Sequence, residues 1–112
     1  MDHNFISWDE FSKIDIRVGT IIAAEVFEKA RKPAYKITVD FGEAGIKKTS
    51  AQITALYGVN ELPGRQVIGV VNFPPKQIAD FMSEFLILGV VNGSEVTLLQ
   101  PGKPVENGLK IG

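Results

Sequence analysis

Polar and apolar residues alternate strictly at the start of the longest extended stretch, with Ile14, Ile16 and Val18 on one side and Asp15 and Arg17 on the other. Period two is the mark of a half-buried strand. Past Gly19 both sides turn apolar as far as Phe27. A strand over residues 14–27 with a glycine near its middle is long enough to serve both halves of a small closed barrel, and Gly19 is where it is expected to bend. A second alternation follows, with Tyr35, Ile37, Val39 and Phe41 inward and Lys36, Thr38 and Asp40 outward. Gly42 and Gly45 supply a tight turn into a third, more polar strand over 46–53, whose Lys48, Ser50 and Gln52 share one face. The side taken by Lys47 and Lys48 depends on register, because a slip of one residue reverses it.

The other elements are shorter. Ser7 and Glu10 form a capping box with Ile6 and Phe11 as a hydrophobic staple, predicting a short helix that ends near Lys13 and plugs one end of the barrel with Trp8, Phe11 and Ile14. Residues 54–58 read as a helical turn closed by Gly58, followed by a Pro63-Gly64 turn and a nearly continuous apolar strand over 66–72. Pro74 and Pro75 break that strand. Residues 78–82 suggest another helical turn, 84–91 an apolar strand, Asn92-Gly93 a hairpin turn and 95–99 its return strand, while the tail from Pro101 reads as loop. Five principal strands in this order predict an all-β fold with short helices. The architecture is a five-stranded OB-fold Greek-key barrel with an N-terminal helix and a short helical turn between strands 3 and 4.

With 112 residues, 45% hydrophobic and 22% charged, the chain is expected to form a single domain over residues 1–112. No apolar run is long enough to span a membrane, and the N-terminus lacks the basic and apolar regions of a signal peptide. With no cysteine in the sequence, disulfides and thiolate chemistry are excluded, and the expected compartment is the cytoplasm.

Catalytic material is sparse. The single histidine is His3, the carboxylates Asp15, Asp40, Glu43 and Glu84 have no pairing spacing, and neither a phosphate loop nor a metal-ligand spacing occurs. The expectation is a non-enzyme without cofactors or metal. The net charge is only −1, so attraction to polyanions must be local. Lys29, Arg31, Lys32 and Lys36 cluster on the loop and entry to the second strand, and Lys48 joins them if it faces the same side. Ser50 and Gln52 extend that face where OB barrels hold ligands. For stacking, Phe73, Tyr57 and Phe85 are the aromatic candidates.

Residues 15–21 (DIRVGTI), 39–43 (VDFGE), 64–67 (GRQV), 70–76 (VVNFPPK) and 98–101 (LLQP) together resemble the tRNA-binding OB domain. That domain is appended to methionyl- and phenylalanyl-tRNA synthetases and also occurs as free-standing dimers. Residues 29–36, 49–53 and 83–89 are most similar to its CsaA branch of homodimeric, export-related chaperones. The resemblance implies a cytoplasmic homodimer that binds unfolded or precursor polypeptides, with tRNA as a further partner and no membrane insertion. The alternative is an RNA-binding module acting in translation. Asn72, Lys76 and Ser83 match the family's ligand-binding pattern, whereas Gln77 stands for a second basic residue and Phe85-Leu86 for Gly-Met. The ligand set is therefore expected to comprise Lys29, Arg31, Lys32, Lys36, Lys48, Ser50, Gln52, Asn72, Lys76, Ser83 and Phe85, with Phe85 lining an apolar pocket beside Lys76.

Overall fold

The computed structural model describes residues 4–112, so His3 lies outside the described residues. Its organising element is β1 (Ile16–Val26). The first half of β1, from Ile16 to Thr20, pairs antiparallel with β4 (Gln66–Val70). From Thr20 to Val26 it pairs instead with β2 (Tyr35–Asp40). Thr20 faces Gln66 on one side and Asp40 on the other. The strand is thus shared between two halves, as its length implied.

The bend lies elsewhere than expected. The register shifts between Ile21 and Ala23, which makes Ile22 the bulged residue. Gly19 serves a different need, close approach: a Cβ there would stand 2.5 Å from Val39 Cγ1, 2.7 Å from Phe41 Cδ1 and 2.9 Å from the Asp40 carbonyl oxygen. The edge that β2 leaves open beside the first half of β1 is filled by the tail. Gly108 donates to the Val18 carbonyl at 2.8 Å, Val18 to that of Leu109 at 3.1 Å, and Ile111 to that of Ile16 at 2.8 Å. Arg17, ion-paired with Asp15 at 2.8 Å, also donates to the Gly108 carbonyl at 2.9 Å. The tail is therefore a docked segment rather than a loop.

β2 alternates as read, with Tyr35, Ile37 and Val39 buried, and pairs on its other side with β3 (Ile46–Ala51). Between them Gly42 and Gly45 take the positive φ that the turn demands. The sheet order β3-β2-β1-β4-β7, with β7 at Leu86–Ile87, curls into a nearly closed barrel. Closure comes from side chains as much as from a ladder. Glu84 donates its N–H to the Lys48 carbonyl at 2.7 Å, and Thr49 Oγ1 donates to the Phe85 carbonyl at 2.7 Å. Thr49 is the buried polar residue of the core, and that bond satisfies it.

Several short elements differ from the sequence reading. Helix α1 (Trp8–Ser12) has its capping box, with Ser7 Oγ accepting from Glu10 N and Glu10 Oε1 from Ser7 N. It buries nothing, however, and Trp8 is 84% exposed. One turn of helix has no room for both a cap and a core face; Leu62, fully buried after a 3₁₀ turn at Val59–Glu61, occupies the core instead. Gly58 precedes that turn rather than closing one. Residues 78–82 are not helical: β5 (Lys76–Ile78) and β6 (Phe81–Ser83) form a hairpin through Ala79, at φ 55°, and Asp80. Phe81 packs on Phe27 of the barrel, and that contact holds the extended form. The apolar run 84–91 is divided where Phe85 turns inward. β8 (Gly89–Asn92) then leaves the barrel and pairs with β9 (Glu95–Leu98) around Gly93 and Ser94, one position beyond the expected turn.

Because backbone as well as side chains surround the Gly19 Cα, Gly19→Val is expected to cost at least about 1–3 kcal/mol of stability. The check is a lowered denaturant midpoint with an unchanged m-value.

Candidate functional site

The register of β2 on β3 decides which cations act together. Lys36 stands opposite Ser50 and Thr38 opposite Lys48, so these four side chains share the outer face. Lys47 pairs with Val39 and points the other way. Burial keeps alternating past the strand end, with Gln52 exposed and Ile53 buried. The turn-rich loop over 27–34 brings Arg31 and Lys32 to a hollow shared with Ser50 and Gln52, and Lys29 to Asp80.

Two of these cations are engaged within the fold. Lys29 Nζ pairs with Asp80 Oδ2 at 2.8 Å. Lys36 Nζ lies 4.9 Å from the Phe27 ring centroid and 5.3 Å from that of Phe81, and the two rings meet edge to face at 5.4 Å. Together they clasp the β5–β6 hairpin to the basic loop and to β2. The hydrogen bond from Lys29 holds the Asp80 carboxyl below the usual aspartate range, and the same bond raises Lys29 above the usual lysine value. The acid's contribution is therefore present above its unfolded pKa and lost as pH falls through the depressed one. The lysine's contribution is present at neutral pH and lost as pH rises through its raised pKa. Both groups are exposed, so the pair orients the loop and adds little stability. Arg31, Lys32, Lys48 and Lys76 are exposed and form no ion pair among the described residues.

A groove of ≈ 740 Å³ runs beside this face. Its walls are Phe73, Pro74, Pro75, Ile78 and Leu86, Lys76 and Gln77 stand on β5, and Thr49, Ser50, Ser83 and Phe85 complete it. Ser50 and Ile78 also line an adjoining hollow of ≈ 600 Å³ against Arg31, Lys32 and Gln52. Apolar walls beside flexible cations suit a ligand with both apolar and anionic groups. Of the residues expected here, Arg31, Lys32, Ser50, Gln52, Lys76, Ser83 and Phe85 line the two hollows, while Lys48 shares the outer face of β3.

Three of the expected residues take more specific places. Phe85 lines the groove beside Lys76 as expected, but it does so from the core: it is 4% exposed and sets its ring against Phe41 at 4.9 Å. The turn that carries Glu84 onto β3 forces it inward. Asn72 spends its amide on the backbone, donating to the Lys13 carbonyl at 2.7 Å and accepting from Asp15 N at 2.9 Å, so it ties the exit of α1 to the barrel. Tyr57 lies among Tyr35, Leu98 and Arg65, away from the groove, which leaves Phe73 as the exposed aromatic of the three candidates. The sequence reading missed Asp80, the Phe27–Phe81 pair and the proline wall. The dipeptide Pro74-Pro75 beside Phe73 was the available sign, since prolines hold apolar surface on a loop that cannot fold into a ladder. The carboxylates are separately occupied: Asp15 by Arg17, Asp40 by Gly42 N and Glu84 by Lys48 N. Among the described residues no cluster of metal-ligating side chains occurs.

Residues 16–110 match the family model described as "Putative tRNA binding domain". The structure superposes on chaperone CsaA from Bacillus anthracis with a TM-score of 0.92 and 47% identity, covering 96% of this chain and 99% of that one. CsaA from Picrophilus torridus gives a TM-score of 0.90 and 51% identity, covering 96% and 100%. Methionine–tRNA ligase of Leptospira biflexa is 36% identical over 107 residues, 96% of this chain but only 16% of the ligase. The chain thus spans about a sixth of the length of the ligases it matches.

Two outcomes follow from the geometry. Phe85→Ala is expected to lower stability by about 3–5 kcal/mol in a denaturant titration, the cost of emptying a buried aromatic site. In an NMR pH titration the Asp80 carboxyl should titrate below the normal aspartate range, and Lys29→Ala should return it toward that range.

Proposed function

The chain belongs to the tRNA-binding domain family, on the side of its CsaA proteins, and from that premise we propose that it is a non-catalytic chaperone for unfolded polypeptides. Its clients are exposed apolar stretches of non-native or precursor chains, including those bound for export, held in the cytoplasm before they fold or move on. The observation that carries this reading is the apolar wall from Phe73 to Pro75 with Ile78 and Leu86, facing a polar strand and rimmed by cations. Such a site takes side chains of a flexible chain by burial and its carboxylates by charge, and it needs no nucleotide.

A homodimer fits the same reading. Trp8, Ile6 and Phe5 are 84%, 68% and 79% exposed, and a hollow of ≈ 400 Å³ joins α1 to Gly112. Apolar surface of this kind on a soluble domain favours a covering partner. Two grooves related by a two-fold axis raise avidity for a long client without any new contact.

A second reading, tRNA binding through the same face, is favoured by the family and by the alignment of Lys36, Lys48 and Ser50 beside Arg31 and Lys32. It is weakened by the internal pairing of Lys29 and Lys36 and by the acid Asp80 within the patch. Fewer available cations mean fewer phosphates neutralised, and Phe73 is a single platform for stacking.

Titration with an unfolded apolar peptide and with bulk tRNA at low and moderate salt separates the two. Peptide affinity should change little with salt and weaken at least about tenfold in Phe73→Ala, from lost burial. Steeply salt-dependent tRNA binding with no peptide binding would reverse the conclusion. Sedimentation equilibrium should give twice the chain mass, and Trp8→Ser should shift it toward the monomer.

A further inference from the structure

The open edge of the barrel lies along β3, the terminal strand of the sheet. The chain itself meets that edge through the main chain of Lys48, and Thr49 Oγ1 adds side-chain bonds to Ser83 Oγ and the Phe85 carbonyl. Glu84 donates its N–H to the Lys48 carbonyl at 2.7 Å and accepts the Lys48 N–H on its side-chain Oε1 at 2.9 Å. Both main-chain groups of Lys48 therefore point away from β2. Main-chain groups of a strand alternate sides residue by residue, so those of Ser50 point outward as well, and the continued burial alternation extends this direction to Gln52. The Gln52 N–H, past the end of β3, has no backbone partner among the described residues, and that of Ser50 faces the same way by the alternation from Lys48. The Ser50 carbonyl is approached at 3.3 Å by Thr49 Oγ1, whose one proton is directed at the Phe85 carbonyl at 2.7 Å.

The hollows follow the same line. The ≈ 740 Å³ groove touches both Thr49 and Ser50, neighbours that face opposite sides, so it opens along the strand edge itself. The ≈ 600 Å³ hollow takes over at Ser50 and runs to Gln52. A third of ≈ 540 Å³ continues from Gln52 and Lys32 toward Thr54. Three hollows that share lining residues along an outward-facing edge leave room for an extended chain.

We propose that a client polypeptide adds to β3 as a further strand, its main chain bonded to Ser50 and Gln52 and alternate side chains entering the groove against Pro75 and Ile78. This rests on the client-polypeptide reading and gives it a mode. Main-chain bonding supplies affinity that is independent of client sequence, whereas the groove selects apolar residues at every second position. Glu84 is the internal precedent, since its N–H already meets this edge as an added strand would. Lys48 and Arg31 border the path and favour acidic residues at the intervening positions. From Lys48 to Gln52 the edge is roughly 13 Å long at about 3.3 Å per residue, enough for a short segment.

The test uses a short disordered peptide with leucine at alternate positions and serine and glutamate between them, and the same peptide with consecutive central amides N-methylated. The unmodified peptide should bind and protect the Ser50 and Gln52 amides from hydrogen exchange. N-methylation should weaken binding at least about tenfold, the loss of two or so main-chain hydrogen bonds. Gln52→Pro should do the same, because proline removes an outward N–H without breaking the β2 ladder. Should that variant fail to unfold cooperatively, the methylated peptide alone decides. Equal binding of both peptides overturns strand addition while leaving a client groove that reads side chains only. No binding of the unmodified peptide overturns both. Protection of the two amides in the protein alone would show a second copy on the edge and also overturn the proposal.

Discussion

Everything in this barrel depends on one strand having to pair with two partners that diverge. β1 meets β4 along its first half and β2 along its second, and Thr20 is the hand-over residue bonded into both ladders. Two constraints follow at once. The strand must change direction, which the bulge at Ile22 does, and the second strand must cross close over the first, which only a bare Cα at Gly19 permits. The crossing leaves the β2–β3 hairpin at an angle to the remainder of the sheet. It also strips β1 of a neighbour over Ile16–Thr20, and the tail from Gly108 to Ile111 fills that edge. Arg17, read from the alternation as an outward charge, is the clamp that holds it.

Electrostatics then decides what the exposed face of that hairpin is fit for. The count of basic residues overstates the charge available to a ligand. Lys36 is held between Phe27 and Phe81, and Lys29 is matched by Asp80. These contacts fasten β5–β6 across the barrel and so build the groove wall. Cations that in a simple polyanion site would grip phosphate are spent here on shaping an apolar cleft. The four that remain lie around it, spaced to steer a ligand more than to coordinate one.

How much of this was legible varies with what a residue's direction depends on. The alternation of Tyr35 to Phe41 and the capping box at Ser7 and Glu10 are local patterns, and both appear in the structure as written. The polar face of Lys48, Ser50 and Gln52 was legible as a face, but its alignment with Lys36 required the register. That the Phe85 ring would reach the groove from the core was not legible, because an apolar run over 84–91 carries no sign of where it breaks. Only the bonds of Glu84 and Thr49 turn that ring inward. The β5–β6 hairpin was hidden for a related reason: its turn lacks the usual glycine and places Ala79 at positive φ, and it is Phe81 on Phe27 that stabilises it. Asn72 matched a ligand pattern, yet its amide is held by one bond each to the Lys13 carbonyl and the Asp15 N–H. A motif match records the residue type but not which partner has claimed it.

The closure of the barrel and its openness to a partner are the same piece of geometry. In a plain ladder the Lys48 N–H would go to a main-chain carbonyl of the neighbouring strand. Instead the carboxylate of Glu84 takes that proton, and the main chain is released to carry Phe85 into the core. Self-pairing therefore ends after one residue, and the edge beyond it is left with its amides outward. An exposed edge of this kind is a hazard for aggregation, which proteins offset with charge, especially lysine. Here Lys48, Arg31, Lys32 and Lys76 stand around it, a charge that would repel a second copy of the same basic edge and attract an extended chain carrying carboxylates. The charges that were first read as a grip on nucleic acid would thus also guard an open strand edge against its own kind while favouring the acidic extended chain proposed above.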